Sequence, residues 1–412
     1  MHRSVIAIFF SFLFISCHSQ HKEKRADSVI VYEKEDNFKF NPLSQSVKDK
    51  YTEAILPLYK KYLLDRGFNG SILLAKNGEI VFEDYHGIYN HQTKDSITAN
   101  TPTHLASVSK TFTGTAILHL WEQGKISLDD SIQRFIPQFP YHNITIKELL
   151  SHRSGLPNYA YFMDNRKFEV VKKRNKKGRI VKVMTIITKS AIPVKEGFIT
   201  NQDMMQYMID NKPALQGLPN RTFMYSNTNF SILAIIIEKI THLSFPQYMK
   251  DSVFTPLGMK NSFVFNIADI ASYIPSYNYN NAPFPLEKFD CIYGDKNVYS
   301  TARDLFLWDK ALYQGSFIRR STLAMAYQPY SNERRKDHYY GLGWHLLIAG
   351  DNTIVYHNGW WHGNNTVFTR MIKDTATLII LGNKFNKSIY HAREMTKVFS
   401  SLSDNTVVEE QP

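Results

Sequence analysis

The chain has 412 residues, 43% of them hydrophobic and 21% charged, an ordinary globular composition that excludes disorder, collagen and coiled coil. Its 49 Lys and Arg outnumber 37 Asp and Glu, giving a formal net charge of +12, and two cysteines, Cys17 and Cys291, exclude a disulfide scaffold or a cysteine zinc cluster. The length calls for two or three folding units with ample core.

The N-terminus reads as an address. Arg3 is followed by an apolar run over 5–15, broken only by Ser11, and then by Ser16 and Cys17. This is the layout of a secretory signal, and the run is too short to span a bilayer as a mature helix. Cys17 directly after a small residue resembles a bacterial lipoprotein signal, in which that cysteine is lipidated and becomes the new N-terminus; Phe14 stands where such signals usually carry Leu. The alternative is a plain secretion signal with an incidental cysteine. On the lipoprotein reading, 1–16 is a signal peptide and 17–43 a polar tether. The protein is then held at a bacterial envelope membrane, facing the periplasm, by a lipid anchor of several acyl chains. Cys291, the remaining thiol, is expected to be buried and inert.

Apolar residues at helical spacing (Val47, Tyr51, Ile55, Leu58, Tyr62) predict a helix over 44–66, stopped by Gly67. Two β-prone runs around Asn77-Gly78 predict a hairpin over 71–83. A mainly helical middle follows, with helices over 108–122, 145–152, 227–241 and 302–313. Within it, residues 166–182 hold nine basic side chains and one acid, Glu169, and so carry most of the excess charge. No nucleic-acid-binding motif accompanies this run, so it reads as a solvated surface loop or hairpin, with an anionic membrane surface as second choice. Strands return over 339–348, 353–357, 365–372 and 375–381, and a helix over 387–402 ends the ordered chain. This order predicts an α+β fold: one antiparallel sheet built from both chain ends, flanked by terminal helices, with a mainly helical domain inserted. Residues 44–105 and 298–402 would form the α/β part, 106–297 the insertion and 403–412 a tail. Their junction is a natural place for a cleft.

Three short motifs carry chemistry. Ser107 and Lys110, three apart at the start of a predicted amphipathic helix, share a face, and a nearby amine can take a serine's proton. The same spacing at Ser19 and Lys22 sits in the tether, without a helix. Tyr225-Ser226-Asn227 precedes an apolar helix, whereas the matching Tyr330-Ser331-Asn332 lies in a charged stretch. A tyrosine beside an ammonium can lose its proton more readily and act as a base, and packing is the ordinary role of either tyrosine. His357-Asn358-Gly359-Trp360 ends a predicted strand, where a glycine allows a ligand close to the backbone; a lone histidine there is as readily structural.

Together and in order, these motifs resemble the serine β-lactamase and penicillin-binding-protein superfamily, in its class C-like serine hydrolase branch: Ser-x-x-Lys, Tyr-x-Asn, then Lys-Thr-Gly or its His-x-Gly variant. The stretches 149–157, 219–227, 256–259 and 299–305, with Trp308 and 340–344, also look like this branch. The resemblance covers about residues 45–400. It implies Ser107 as acylated nucleophile, Lys110 as its activator sharing general-base work with Tyr225, and Asn227 holding substrate and lysine. His357 and Gly359 would serve substrate binding, and the backbone N–H groups of Ser107 and Trp360 an oxyanion hole. The implied reaction is acyl transfer through an acyl-serine ester on a small-molecule or peptide substrate, with no metal and no cofactor.

His357 and Asn358 replace the Lys and Thr that help family members grip a substrate carboxylate, and a neutral histidine does this poorly. Efficient β-lactam hydrolysis is therefore not expected. His-x-Gly relatives include esterases and peptidases. The leading expectation is a lipid-anchored envelope serine hydrolase acting on an ester or amide, D-amino-acid peptides among the substrates; the rivals are a non-catalytic envelope protein that binds peptidoglycan or a partner, and a true β-lactamase. Tyr159, Tyr161, Trp360 and Trp361 are candidates to line an acyl-group pocket or simply to pack. His345, His357 and His362 lack carboxylate or cysteine partners at ligand spacing.

Overall fold

The computed structural model describes residues 38–163, 166–174, 178, 180–189, 197–331, 337–350 and 352–400. The signal region with Cys17, the Ser19 and Lys22 pair, most of the tether and the 403–412 tail lie outside the described residues.

Helix α1 (Gln45–Tyr62) starts at Ser44, whose hydroxyl accepts the Val47 N–H, and carries Lys60 and Lys61 in its last turn, where cations suit the helix dipole. The hairpin strands β1 (Gly70–Lys76) and β2 (Glu79–His86) follow. Asn77 and Gly78 both adopt positive φ, 50° and 71°, as a two-residue hairpin turn of this hand requires. Short strands β3 (Ile88–Asn90), β4 (Asp95–Ser96) and β5 (Thr103–His104) lead to the middle of the chain.

The middle contains α2 (Ser109–Glu122), α3 (Ile146–Leu150), α4 (Tyr159–Phe162), the paired strands β6 (Arg166–Arg174) and β7 (Ile180–Lys189), α5 (Asn201–Asn211), α6 (Asn227–Thr241) and α7 (Phe245–Met249). The basic run thus begins along β6 and ends in β7. Strands β8 (Phe263–Val264) and β9 (Val298–Ser300) then form a small sheet with β5, and α8 (Ala302–Gln314) and α9 (Arg320–Ala326) precede the last strands. These are β10 (His338–Tyr340), β11 (His345–Ala349), β12 (Asn352–Trp361), β13 (Asn364–Met371) and β14 (Ala376–Gly382). A 3-10 helix, Lys387–Thr396, runs into a helical turn at 397–400.

The main sheet has the order β10-β11-β12-β13-β14-β1-β2, all antiparallel. The two ends of the chain meet where β1 pairs β14, from Gly70 opposite Gly382 to Lys76 opposite Ala376. Side chains of β1 alternate between two cores. Ile72 and Leu74 face α1 and the C-terminal helix, with Tyr51, Ile55 and Phe399; Leu73 and Ala75 face the helices of the middle. With both faces covered, β1 and β14 read as nearly unbroken apolar runs.

The structure corrects several local expectations. The strand expected over 339–348 is two strands, because the chain turns at 341–343: a Cβ on Gly341 would lie 2.1 Å from the Ala326 carbonyl, and Gly343 has φ +85° and packs against Gly114 of α2. Strand β12 runs on beyond 357 to Trp361, since β13 pairs it along its length. Helix α2 is not amphipathic. All residues from Ser109 to Leu118 are buried, as it runs through the core between the sheet and α6. One buried ion pair ties α8 to the sheet: Arg370 of β13 donates from Nε to Asp309 Oδ1 at 2.5 Å and from Nη1 to the Tyr327 hydroxyl at 2.6 Å, and Thr377 donates to Asp309 Oδ2 at 2.5 Å.

Candidate active site

The nucleophile candidate lies one turn before α2. Ser107 is in the middle of a 3-10 turn, Ala106–Val108, and Ala106 holds a positive φ of 49°. That backbone is braced from both sides. The Ala106 N–H donates to His104 Nδ1 at 3.1 Å, which leaves His104 Nε2 as the donor to Asn297 Oδ1 at 3.1 Å; burial, opposed by that bond, holds this imidazole down at about 4 and so neutral. On the other side the Thr366 hydroxyl donates to the Leu105 carbonyl at 2.7 Å.

Gly359 explains how strand β12 reaches this turn. A Cβ there would sit 2.3 Å from Thr366 Oγ1, 2.4 Å from the Leu105 carbonyl and 3.0 Å from Ala106 Cβ. The close approach that the glycine allows is therefore that of the backbone leading into Ser107, where the sequence suggested a ligand. It sets the backbone of Trp360 beside the Ser107 turn.

Lys110 is completely buried, and its Nζ donates to Ser107 Oγ at 3.1 Å and to the Asp295 carbonyl at 2.8 Å. Burial drives its pKa down to about 8, against the opposing pull of Asp295. Roughly a tenth of such lysines are neutral at pH 7, ready to accept a proton. The ammonium lies 5.1 Å from the Tyr225 ring centroid and 5.8 Å from that of Phe230. The Tyr225 ring, and not that of Tyr330, covers the lysine.

The Tyr225 hydroxyl is under the influence of Ser107, and the residue is 38% exposed. Burial pushes its hydroxyl upward, with Ser107 pulling the other way. The sequence suggested a tyrosine made more acidic by the ammonium; the desolvation of the hydroxyl wins instead, so Tyr225 rests protonated. The segment is clamped by the loop after α3. The Ser226 N–H and Asn229 Nδ2 donate to His152 Nδ1 at 3.3 and 3.0 Å, and Ser226 and Thr228 hydroxyls donate to the Pro157 carbonyl at 3.1 and 2.7 Å.

Asn227 opens α6, and its Oδ1 is buried without a hydrogen-bond partner among the described residues. Lys110 is held by the Asp295 carbonyl, where the family pattern suggested Asn227. His357 is 1% exposed: Nδ1–H donates to the Asn358 carbonyl at 2.8 Å, and Nε2 faces the Tyr340 hydroxyl at 3.4 Å. Burial, reinforced by His345 and Lys110, holds it neutral and well below the ordinary histidine range. It is buried edge-on against His345, with 4.9 Å between ring centroids. Trp360 is 58% exposed with its indole N–H on the His362 carbonyl, and Tyr161 is also exposed. Tyr159 is fully buried and Trp361 donates to Asp290 Oδ1 at 2.6 Å, so both belong to the framework. His362 sits on the same Asp290 carboxylate, which separates it from His345 and His357.

Sequence reasoning missed the polar cluster behind Lys110. Asp295 is 1% exposed; Tyr159 donates to its Oδ2 at 2.8 Å and Ser231 to its Oδ1 at 3.0 Å. Lys296 is 2% exposed, with Nζ 2.7 Å from the Tyr159 hydroxyl, 2.9 Å from the Ile292 carbonyl and 3.7 Å from Asp295 Oδ1. The available signal was two adjacent opposite charges just before the 299–305 motif.

The arrangement is a buried amine and a tyrosine hydroxyl converging on one serine at a braced turn, which suits acyl transfer. A family model described as beta-lactamase matches residues 64–396. Penicillin-binding protein 4* of Bacillus subtilis (strain 168) is 32% identical over 344 residues, covering 78% of this chain and 70% of that protein. Among solved structures, the D-amino acid amidase of Ochrobactrum anthropi SV3 complexed with L-phenylalanine amide superposes with a TM-score of 0.65 at 22% identity, covering 86% of this chain and 99% of that one. A class C beta-lactamase superposes with a TM-score of 0.63 at 18% identity, covering 88% and 98%. The structural likenesses show the shared fold. The chain belongs to the beta-lactamase family, and is a serine hydrolase of beta-lactamase fold.

Proposed function

We propose that the chain hydrolyses an ester or amide through an acyl-Ser107 intermediate, with D-amino-acid peptides or amides as its leading substrate class. The observation that carries this reading is the 3.1 Å contact between Ser107 Oγ and a fully buried Lys110 whose pKa is pulled down to about 8. Neutral Lys110 takes the Ser107 proton as Oγ bonds to the substrate carbonyl carbon. The negative charge moves to the carbonyl oxygen, which the N–H groups of Ser107 and Trp360 receive. Tyr225, protonated at rest, passes its proton to the leaving oxygen or nitrogen and is reprotonated from Lys110, as the bond to the leaving group breaks. Water then enters, gives a proton back through the same pair, and releases the acid and free Ser107. The unpartnered Asn227 Oδ1 accepts an N–H from an amide substrate.

The D-amino-acid preference is supported by the likeness to a penicillin-binding protein and to a D-amino acid amidase. The buried, neutral His357 gives no cation for the carboxylate of a penicillin, so β-lactam turnover is slow. Cys17 after the apolar run supports anchoring at the envelope.

The test is the intact mass of residues 44–412 after exposure to a fluorophosphonate probe, with Ser107→Ala beside it. One adduct on the wild type and none on the variant is the expected result. No adduct, together with no turnover of D-amino-acid amides or activated esters and retained binding of cell-wall fragments, overturns it in favour of a binding protein.

A further inference from the structure

Lys110 has one partner that the motifs do not contain. Its Nζ rests on the backbone carbonyl of Asp295, and the carboxylate of that same residue is locked behind it by Tyr159 and Ser231, each at hydrogen-bond distance. Lys296 completes the cluster, 2.7 Å from the Tyr159 hydroxyl and within 4.9 Å of the Trp361 ring centroid. All four side chains are buried. We propose that the Tyr159–Asp295–Lys296 cluster is the positioning device of the active-site lysine: it fixes Lys110 against Ser107 through the Asp295 carbonyl and sets the charge balance behind the ammonium. This rests on the reading of Ser107 as nucleophile.

The packing around Lys110 leaves few other groups to do this. His152 after α3, His345 of β11 and His357 of β12 face it, and burial keeps all three neutral. Tyr225 and Phe230, the latter on α6, offer ring faces, and burial keeps the Tyr225 hydroxyl protonated. Among the described residues Asp295 favours the protonated form of the lysine; Lys110 lowers Lys296, and since repulsion between like charges is mutual, a charged Lys296 disfavours a charged Lys110. Two buried charges of opposite sign act on one amine, and each can be removed alone.

The experiment is the second-order rate constant for fluorophosphonate labelling of Ser107 between pH 5.5 and 10, read for wild type, Asp295→Asn and Lys296→Met, with a melting curve for each. The rate rises as Lys110 loses its proton. Asp295→Asn retains the backbone carbonyl but removes the anion, so the rise moves to lower pH by about one unit. Lys296→Met removes a like charge, so the rise moves up by a similar or smaller amount. A purely structural cluster lowers the rate of both variants without moving their profiles apart, and that outcome overturns the proposal, as does a shift of both in one direction. If Asp295→Asn does not fold, Lys296→Met decides alone: an upward shift supports the proposal and an unmoved or lowered profile overturns it. Failure of the underlying reading looks different, since Ser107→Ala would then label like the wild type.

Discussion

Two buried ion clusters divide the work in this molecule. At the junction of α8 with the sheet, Arg370 and Asp309 are held with Tyr327 and Thr377 in a network of short bonds. Behind Ser107, Lys110 and Lys296 both lie on Asp295: its carboxylate is 3.7 Å from Lys296, and its backbone carbonyl accepts from Lys110. In the first cluster the charges pair directly, which fixes one packing of helix on sheet. In the second, the amine nearest the serine meets the backbone oxygen of Asp295, whose carboxylate lies beside Lys296, and it is left short of a direct counter-charge. Removing a charge from water is costly in both places. Direct pairing offsets part of the cost in one, where burial still holds the Asp309 carboxyl above its ordinary value; in the other the cost is left as a lowered lysine pKa, which suits the proposed proton acceptor.

Breaking each cluster should give opposite phenotypes. Lys110→Met removes the proposed proton acceptor and a buried charge without a direct counter-charge, so hydrolysis falls roughly 10³-fold or more while the melting temperature holds or rises; ester turnover and a melting curve read both. Asp309→Ala strands the Arg370 guanidinium and lowers stability by about 3–5 kcal/mol, measurable by urea unfolding, while the folded fraction keeps its rate within a few-fold. Gly359→Ala tests the link between sheet and nucleophile. Its methyl group meets the Leu105 carbonyl and Thr366 and displaces the Ser107 turn, costing about 1–3 kcal/mol and up to roughly 10²-fold in labelling rate.

The smallest effects are in pH. The labelling rate of the wild type climbs toward pH 8, where Lys110 deprotonates. The buried imidazoles act on stability instead. His104 and His345 are held down to about 4 and about 3, chiefly by burial, so the unfolded chain takes up protons below its ordinary histidine pKa that the native state refuses. Their contribution is complete above pH ~6.5 and is lost as the pH falls through 6 and 5, at up to about 1.4 kcal/mol per pH unit for each ring. Urea midpoints between pH 7 and 4.5 check the slope, and His104→Asn lessens it.

Local spacing made much of this legible. The turn at Asn77-Gly78, the ends of α6 and the pairing of Ser107 with Lys110 depend on residues a few positions apart, whose geometry is set by backbone sterics and helical pitch. The choice of Tyr225 over Tyr330 was also readable, because an apolar helix follows only the first. The break at 341–343 was not: those residues look like strand, and they turn because Gly343 must lie on Gly114 of a helix more than two hundred residues earlier.

By itself the sequence determined the order of elements, the sheet built from both chain ends, and the set of three residues, Ser107, Lys110 and Tyr225, for which acyl transfer is proposed. Only the tertiary structure decided what surrounds them. The carbonyl that holds Lys110 comes from 185 positions away, and the protonation of Lys110 and His357 follows from how completely water is excluded there. Burial is a property of the packed whole: no short stretch of chain can desolvate its own charge, so the chemistry of the serine's neighbours becomes defined only when distant segments close around them.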